Sequence, residues 1–430
     1  MTVTTAGKKL AIRGGSKAVS AAVGDLFTWP IITEEDEQAV LEVLRRGAMS
    51  ATDVTHKFEE DLARYFDLPH ALCHNTGTAA IQASLWACGV RRGDEVITQS
   101  MTYWGTSLQV FSLGATMVFS EMEPDSLCMD PTDIERHITD RTRAIVPVHY
   151  SGYPTDMGPL MEIARKHDLK VVEDVSHAQG GRYKGRLLGT IGDVGAMSIM
   201  SGKSLACGEG GFLVTDDDHI FERACAFGHY ERIAALQDPE LNRLAGMPIG
   251  GYKYRMHQLS SAVGRVQLRG YDERVVQIQK AMNYFWDQLQ GVAGIRPHRP
   301  AQDSGSTMGG WYAAKGLYVP EELRGLPVAS FCNAVNAEVE GSGFQTRPGA
   351  NILMHTHPML NDFDVFGDGK PTRIAFSNRD LRQYEGSLPI TESLPERCYS
   401  IPWFKHHRPE IIDQFVAAFR KVTENCDQLS

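Results

Sequence analysis

The sequence predicts an α/β fold, with a large domain built on a mostly parallel sheet and a smaller α/β domain after it. The first observation behind this prediction is that short apolar runs alternate with helical patterns from residue 70 to residue 173, as in a parallel sheet covered by helices on both faces. The second is size, because 430 residues, 42% of them hydrophobic, form a large core and exceed the usual single domain. The third is that four turns with polar residues each follow a predicted strand, where ligands bind in such sheets.

An arm and two helices come before this alternation. Residues 1–27 are rich in Gly, Ala and Lys and weakly patterned, which predicts an extended arm. Thr33 precedes three acidic residues, a pattern typical of a helix N-terminus. This helix is predicted to continue to Gly47, and a second helix to cover residues 54–66.

The rest of the chain supplies the sheet, its helices and the second domain. Strands are predicted at residues 70–73, 95–98, 116–119, 143–149, 169–173, 192–199 and 211–215, with helices at 78–88, 105–113 and 156–166. A hairpin is predicted at 182–189, long helical periodicity at 254–290, an edge strand at 311–320, and helices at 327–341 and 409–424. We therefore predict an N-terminal arm (1–27), a large domain (28–290) and a small C-terminal domain (291–430).

The composition argues against several classes of protein. The formal net charge is −10 and there is no basic run, so nucleic acid and anionic membranes are poor partners. No apolar run approaches the ~20 residues of a transmembrane helix, and the first residues lack the apolar segment of a signal peptide. The eight cysteines form no Cys-x-x-Cys pair, which argues against a zinc or redox site. We expect a cytoplasmic protein with reduced thiols and no metal.

Lys203 is the residue around which the predicted chemistry is organised. It lies between two strand-like runs and is followed by Gly208-Glu-Gly-Gly211. A lysine on a turn that projects from a sheet can be desolvated, lose its proton and form a Schiff base. The ordinary alternative is a solvated turn lysine. Gly202-Lys203-Ser204 also mimics the end of a nucleotide-binding P-loop, but that motif requires a glycine at position 197, where this chain has Met.

Asp174 is the candidate acid. It ends an apolar predicted strand, where its carboxylate can point into the same site and accept a hydrogen bond from a ring N–H. A turn or helix cap is the ordinary alternative for this residue. Glu173 alternates to the opposite face of the strand and is the weaker candidate.

An anion site and an aromatic surface are predicted on neighbouring turns. Thr76-Gly77-Thr78 opens a helix after a strand, and free amides at a helix N-terminus bind anions, although an ordinary Thr cap is the alternative. Ser198 precedes Lys203 and can add a hydroxyl. Tyr103 or Trp104 can stack on a flat ring, although each aromatic also suits a core position. A lysine, an acid, an anion cradle and a flat surface are what a pyridoxal phosphate enzyme requires, so we predict this cofactor.

These residues resemble those of the DegT/DnrJ/EryC1/StrS family of sugar and cyclitol aminotransferases. The resemblance covers nearly the whole chain, and its most specific part is Ser198-x4-Lys203 followed by Gly208-Glu-Gly-Gly211. Further similar segments are His74-Asn-Thr-Gly-Thr-Ala-Ala80, Thr102-Tyr-Trp104 and Glu173-Asp-Val-Ser-His177. The resemblance implies the fold-type I (aspartate aminotransferase-like) architecture of pyridoxal phosphate-dependent transferases.

The resemblance also implies roles for the residues and an assembly. Lys203 would carry the cofactor as a Schiff base, and Asp174 would bind its pyridine nitrogen. The ring and the phosphate would be contacted by Tyr103, His177, Gly77, Thr78 and Ser198. A homodimer is implied, with each site built from both subunits.

Lys253 marks a departure from the family pattern. Gly251-Tyr-Lys-Tyr-Arg-Met256 resembles the family's Gly-x-Asn-x-Arg-Met, whose Asn reaches the phosphate of the neighbouring subunit, and Lys253 replaces that Asn. A lysine can serve a phosphate as a point charge. Lys253 is also the rival of Lys203 for the Schiff base, and a solvated residue at a helix start is its ordinary alternative.

The segments Ala11-Ile-Arg-Gly-Gly15 and Trp29-Pro30 are most similar to the glutamine:scyllo-inosose aminotransferase branch of aminoglycoside pathways. The resemblance therefore implies amino transfer from glutamine or glutamate to a keto-cyclitol or keto-sugar. One alternative is a 3-amino-5-hydroxybenzoate synthase-like enzyme that also removes water, and another is a non-catalytic sensor or scaffold. The intact Lys203 and Asp174 weigh against the second alternative. Candidate substrate contacts are His229, Tyr230, Arg347, and His355 or His357.

Overall fold

The computed structural model describes residues 7–20 and 22–429, so residues 1–6 and 21 of the predicted arm lie outside the described residues. The strands in these ranges are β1 (His70–His74), β2 (Glu95–Gln99), β3 (Thr116–Ser120), β4 (Thr142–Val146), β5 (Lys170–Asp174), β6 (Arg182–Tyr183), β7 (Arg186–Leu187), β8 (Val194–Ser198), β9 (Gly211–Thr215), β10 (Ile295–Pro297), β11 (Lys315–Tyr318), β12 (Arg347–Pro348) and β13 (Cys398–Ser400).

The α-helices are α1 (Glu34–Arg45), α2 (Asp53–Phe66), α3 (Gly77–Ala87), α4 (Trp104–Ser107), α5 (Gln109–Ser112), α6 (Pro131–Ile134), α7 (Met157–Lys166), α8 (Asp218–Gly228), α9 (Pro239–Asn242), α10 (Gln258–Arg269), α11 (Tyr271–Gln288), α12 (Val328–Glu338), α13 (Pro358–Asn361), α14 (Pro389–Ser393) and α15 (Pro409–Glu424). Short 3-10 helices occupy Ala11–Arg13, Glu135–His137, Tyr150–Gly152, Ile233–Ala235, Pro320–Leu323, Thr372–Ile374, Leu394–Glu396 and Cys426–Leu429.

The central sheet has the strand order β1-β9-β8-β5-β4-β2-β3. Neighbouring strands from β8 to β3 are parallel, whereas β9 runs antiparallel to both β8 and β1. The predicted mostly parallel α/β sheet is therefore confirmed. Strand β9 reverses because it is joined to β8 by the turn that carries Lys203 and not by a crossover helix.

Helices cover both faces of this sheet because its strands are apolar on both sides. Along β4 and β5, Val146 and Val172 pack in the cluster that includes α3, while Ile145 and Val171 pack in the cluster that includes α7. Consecutive residues of a strand point to opposite faces, so both faces are buried. The carboxyl ends of β1, β2, β5 and β8 meet at one edge of the sheet, and the turns with the predicted site residues lie there.

Most of the predicted elements are confirmed, and some boundaries are corrected. Thr33 and Asp36 form the capping box of α1, and the hairpin predicted at 182–189 is present. The helix predicted at 105–113 is divided into α4 and α5. The segment 254–290 forms two helices that meet at Gly270.

The edge-strand prediction for residues 311–320 is wrong in position. Strand β11 lies inside a second sheet with the order β10-β11-β13-β12, so both of its edges are hydrogen-bonded. The strand is short and mostly buried. The sequence could not distinguish an edge from an interior place because its second partner strand, β13, is distant along the chain.

The described part of the arm packs against the C-terminal half of the chain. Leu10, Val19 and Leu26 are buried in the cluster formed with helices α11, α12 and α15. The Ala11 amide donates to Glu338 Oε1 at 2.7 Å, and Glu338 Oε2 is paired with Lys421 Nζ at 2.8 Å in the interior. This buried ion pair joins the arm to α12 and α15.

Within the described residues, every helix is too short or too polar to span a lipid bilayer.

Candidate active site

One cavity collects most of the predicted site residues. It has a volume of about 610 Å³ and lies at the carboxyl ends of β5 and β8 and the N-terminus of α3. The predicted residues that line this cavity, called here the Lys203 cavity, are Gly77, Thr78, Tyr103, Trp104, Asp174, His177, Ser198 and Lys203. A larger groove of about 770 Å³, which includes Glu123 and Lys166, contains none of these residues.

The Lys203 turn is a compact loop between β8 and β9. The amide of Lys203 donates to the Met200 carbonyl at 2.8 Å, and that of Ser201 donates to the Gly208 carbonyl at 2.8 Å. The indole Nε1 of Trp29 donates to the Lys203 carbonyl at 2.8 Å. These bonds hold the backbone of Lys203 at both its amide and its carbonyl, so the position of its Cα is fixed.

The Lys203 side chain is buried and lies over an aromatic ring. The residue is 6% exposed, and its Nζ is 3.9 Å from the ring centroid of Tyr312. Burial lowers the pKa of Lys203 from 10.5 to about 8, and the negative charge of Asp174 opposes this shift. An amine with this pKa is partly unprotonated at neutral pH, which a nucleophile requires.

Asp174 is held with one side toward the cavity. Its Oδ2 accepts a hydrogen bond from Thr106 Oγ1 at 2.7 Å, and its Oδ1 accepts one from the Ser176 amide at 3.0 Å. A carboxylate oxygen has two lone pairs, so each oxygen keeps acceptor capacity for a further N–H donor. Asp174 therefore remains available to a ring nitrogen.

Glu173 points away from the cavity, as the strand alternation predicts. Its carboxylate accepts from His149 and from the amides of Gly189, Ile191 and Gly192. Burial disfavours its charge, but the hydrogen bond from His149 and those amides bring the pKa of Glu173 below its usual value. Glu173 is thus a satisfied interior carboxylate that connects β5 to the loop before β8.

The N-terminus of α3 forms a narrow cradle. Thr76 Oγ1 accepts from the Ala79 amide at 3.0 Å, and the first amides of a helix have no intrahelical acceptor. A Cβ added to Gly77 would be 2.5 Å from the Ser198 Cβ, and one added to Gly211 would be 2.3 Å from the Gly77 nitrogen. Only glycines allow this approach of β8 and β9 to the helix terminus. The hydroxyls of Thr78 and Ser198 line the same cavity.

The aromatic residues lie at two places on the wall of the cavity. Tyr103 and Trp104 are 49% and 47% exposed, with ring centroids 4.9 Å apart, and form its outer side. His177 is buried between Tyr150 and Tyr312, at ring-centroid distances of 5.6 and 5.0 Å. Burial and the nearby charges of Lys203 and Lys315 lower the pKa of His177 well below its usual value, so this ring is neutral.

Several predicted residues are not brought into this cavity. Lys253 is exposed and lines a separate concavity of about 440 Å³ with Asn75 and Arg255, and Glu209 borders both spaces. The candidate substrate contacts also lie outside its lining. Two of these candidates, His229 and His355, are buried in the interior. The other three, Tyr230, Arg347 and His357, are partly or fully exposed.

Sequence reasoning missed several residues of the cavity, among them Thr106, Tyr312, Lys315 and Asn351. Lys315 offers a signal in retrospect, because it is a charged residue in the otherwise apolar run of β11. Thr106 and Asn351 are ordinary polar residues next to turns, and no sequence pattern marks them. Thr106 is placed by its hydrogen bond to Asp174, and Asn351 by its hydrogen bond from Tyr150.

The residues of the cavity fit pyridoxal phosphate. The start of α3, where Gly77 packs closely against Ser198, lines the cavity together with the hydroxyls of Thr78 and Ser198, and its free amides suit a phosphate. Lys203 supplies an amine of lowered pKa, and Asp174 supplies a carboxylate with spare acceptor capacity. Three separate parts of the cofactor are thus matched by three separate groups of the chain.

The chain is similar to known aminotransferases along most of its length. Residues 30–364 match the DegT/DnrJ/EryC1/StrS aminotransferase family. The chain is 28% identical over 410 residues to the spore coat polysaccharide biosynthesis protein SpsC of Bacillus subtilis, covering 93% of this chain and 97% of that one. It is 31% identical over 434 residues to the "Putative L-glutamine:3-amino-2,3-dideoxy-scyllo-inosose aminotransferase" of Streptoalloteichus tenebrarius, covering 98% and 99%. The X-ray structure of an aminotransferase from Psychrobacter cryohalolentis superposes with a TM-score of 0.79 at 26% identity, covering 93% of this chain and 99% of that one.

Proposed function

This chain belongs to the DegT/DnrJ/EryC1/StrS aminotransferase family, and from that premise we propose that it transfers an amino group from glutamine or glutamate to a ketone on a cyclitol or sugar. It is a pyridoxal phosphate-dependent aminotransferase. The observation that carries the proposal is the pairing of Lys203, a buried lysine with a lowered pKa, with Asp174 in one cavity. Family membership and this pairing both support an enzyme over the non-catalytic alternative.

Lys203 is proposed as the lysine that binds the cofactor and moves the proton. Bound pyridoxal phosphate supplies an aldehyde carbon that exchanges amines and a protonated ring that withdraws electrons. The Lys203 amine is partly unprotonated at neutral pH because burial lowers its pKa to about 8. Its Nζ can therefore take the proton from the Cα of the amino donor and later return a proton to the acceptor carbon.

The other residues of the cavity are proposed to hold and orient the cofactor. Asp174 would accept from the ring N–H, and Thr106 keeps the carboxylate oriented through its 2.7 Å hydrogen bond. The phosphate would be held by the amides of Gly77 and Thr78 with the Ser198 hydroxyl. Tyr103 would cover the ring, and His177, neutral because of its burial, would lie beside it without adding charge.

The donor, the acceptor and the assembly are inferences from the relatives. The inosose aminotransferase relative, which spans 98% of this chain, supports glutamine and an inosose-like ketone in aminoglycoside or amino-sugar metabolism. We infer a homodimer in which the concavity of Lys253 and Arg255 contributes to the phosphate site of the other subunit. The eight free cysteines support a reducing compartment such as the cytoplasm.

The proposal is tested by the absorption spectrum of the purified protein with and without amino donor. We expect a yellow band in the wild type that bleaches with glutamine or glutamate. Reduction with sodium borohydride, followed by peptide mass spectrometry, should attach the cofactor to Lys203, and Lys203→Ala should lose the attachment. Wild-type protein that takes up no pyridoxal phosphate would refute the proposal, and attachment at Lys253 would refute the role of Lys203.

The product mass then separates amino transfer from the synthase-like alternative. Amino transfer to a keto-cyclitol replaces a carbonyl oxygen by an amine and keeps the hydroxyls of the ring. The alternative reaction also removes water as its product becomes aromatic. Mass spectrometry of the product, with the ultraviolet absorbance of an aromatic ring as a second readout, distinguishes the two.

A further inference from the structure

The Lys203 cavity contains a second buried lysine. Lys315 is 6% exposed, the same fraction as Lys203, and lies at the start of β11 in the second sheet. Both lysines line the cavity, and the charges of both act on His177. Lys315 therefore faces the space in which the reaction takes place from the side of the second sheet.

Lys315 has no acidic partner among the described residues. Its Nζ donates to the Gly349 carbonyl at 3.2 Å, and no Asp or Glu side chain of those residues lies within ion-pair distance of it. By contrast, the buried Lys421 is paired with Glu338 at 2.8 Å. A buried ammonium without a counter-ion is costly, and burial lowers the pKa of Lys315 as it does that of Lys203. The amine lines a cavity that a ligand can enter, and a bound anion would stabilise its charged form. This arrangement suits an anion supplied by the substrate.

Asn351 adds a neutral donor to the same wall. The Tyr150 hydroxyl accepts a hydrogen bond from the backbone N–H of Asn351 at 3.2 Å. It donates its own proton to the side-chain oxygen Oδ1 of Asn351 at 2.6 Å. This pair of bonds fixes which end of the side-chain amide is the oxygen. The remaining Nδ2 has no acceptor among the described residues. An ammonium and an amide donor on one wall are suited to the two oxygens of a carboxylate.

We propose that Lys315, with Asn351, binds the carboxylate of the amino-acid donor. The inference rests on the proposed function and adds to it a residue that determines specificity. Every amino-acid donor carries a carboxylate on the carbon whose proton Lys203 removes, so a cation in the same cavity as Lys203 orients that carbon. An acidic acceptor has the same chemistry, and the experiment below separates the two sources.

The test compares Lys315→Met with Lys315→Arg, which keeps the charge, and with Lys370→Met, which removes an exposed lysine outside the cavity. Each holoenzyme is mixed with glutamine or glutamate, and the bleaching of the cofactor band is followed as a function of donor concentration. Steady-state turnover with an inosose acceptor, at varied donor and then varied acceptor concentration, gives kcat and the KM of each substrate. We expect the donor KM of Lys315→Met to rise at least tenfold with kcat changed less than about threefold. The two control variants should stay within about threefold of the wild-type KM.

A binding measurement accompanies the kinetics. Glutarate, a dicarboxylate without an amine, should compete with the donor in the wild type, and calorimetry should show its dissociation constant raised at least tenfold in Lys315→Met. Asn351→Ala keeps the lysine and should give a smaller rise, which keeps the proposal testable if Lys315→Met does not fold. The circular dichroism and the cofactor band of each variant verify that the fold and the cofactor site are intact.

Each outcome decides between distinct conclusions. An unchanged donor KM and unchanged glutarate binding in a folded Lys315→Met holoenzyme would overturn the role of Lys315. A rise in the acceptor KM with an unchanged donor KM would also overturn it, and would assign the lysine to an acidic acceptor. A wild-type holoenzyme that no amino acid bleaches would instead contradict the proposed function itself.

Discussion

The free amine of Lys203 should govern the pH dependence of cofactor capture by the apoprotein. Burial lowers its pKa from 10.5 to about 8. At pH 7 an amine with a pKa of 8 is about 9% unprotonated, whereas one with a pKa of 10.5 is about 0.03% unprotonated. The burial seen in the structure therefore raises the reactive fraction about 300-fold at neutral pH.

Stopped-flow mixing of apoprotein with pyridoxal phosphate between pH 6 and pH 10 measures this effect. The capture rate should rise about tenfold per pH unit up to about pH 8 and then level off. N-acetyl-lysine, an ordinary amine in water, serves as the control and should keep rising to pH 10. Asp174 raises the pKa of Lys203, so Asp174→Asn should move the inflection to lower pH. A protein rate that follows the control up to pH 10 would refute the reasoning.

The same pKa also predicts the direction of a stability change. Between about pH 8 and pH 10.5 the unfolded chain holds a proton on Lys203 that the folded apoprotein has released. The contribution of this lysine to the free energy of unfolding therefore increases with pH across that window, by up to about 3 kcal/mol. Chemical unfolding of apoprotein and of Lys203→Met at pH 7 and pH 10 checks it, because the variant should lack this component.

Two further predictions concern single hydrogen-bonded contacts. Thr106→Val removes the hydroxyl that donates to Asp174 at 2.7 Å, and we expect kcat/KM to fall about tenfold, equivalent to about 1.4 kcal/mol. Thr106→Ser keeps the hydroxyl and should stay close to wild type. Equal kcat/KM values in the wild type and both variants would contradict the role of this hydroxyl. Glu338→Gln leaves the Lys421 ammonium buried without its carboxylate and should lower the free energy of unfolding in urea by about 3 kcal/mol. The exposed pair of Lys17 and Glu340 provides a control, since Glu340→Gln should have a far smaller effect, and equal effects of the two would contradict the prediction.

Much of the fold could be predicted because its signals are local. Strands β4 and β5 are apolar on both faces, and α1 begins at a capping box within four residues. The pairing of β9 with β1 and the interior place of β11 could not be predicted, because they depend on partner strands far along the chain. Hydrophobic periodicity gives the type of an element but does not identify its neighbours.

The residues of the candidate site also fall into some that could be predicted from the sequence and some that could not. Lys203, Asp174 and Gly77 could be selected because each follows a strand in a turn of distinctive composition, and the ends of parallel strands meet at one edge of a sheet. The five residues selected as substrate contacts, among them His229 and Arg347, lie outside the lining of the cavity. They were chosen for their side-chain chemistry alone, and residue type does not reveal the direction in which a side chain points.

The sequence by itself determined the α/β architecture, the lysine on its turn, the acid at the strand end and the glycine cradle. All of these depend on contacts between residues close in the chain or on the general geometry of parallel sheets. Only the tertiary structure decided that Lys315 and Asn351 face Lys203 and that Lys253 does not. The physical reason is that Lys315 and Asn351 lie far from Lys203 along the chain, and they are brought to it by the packing of β11 and β13 against the segments that follow β2 and β4.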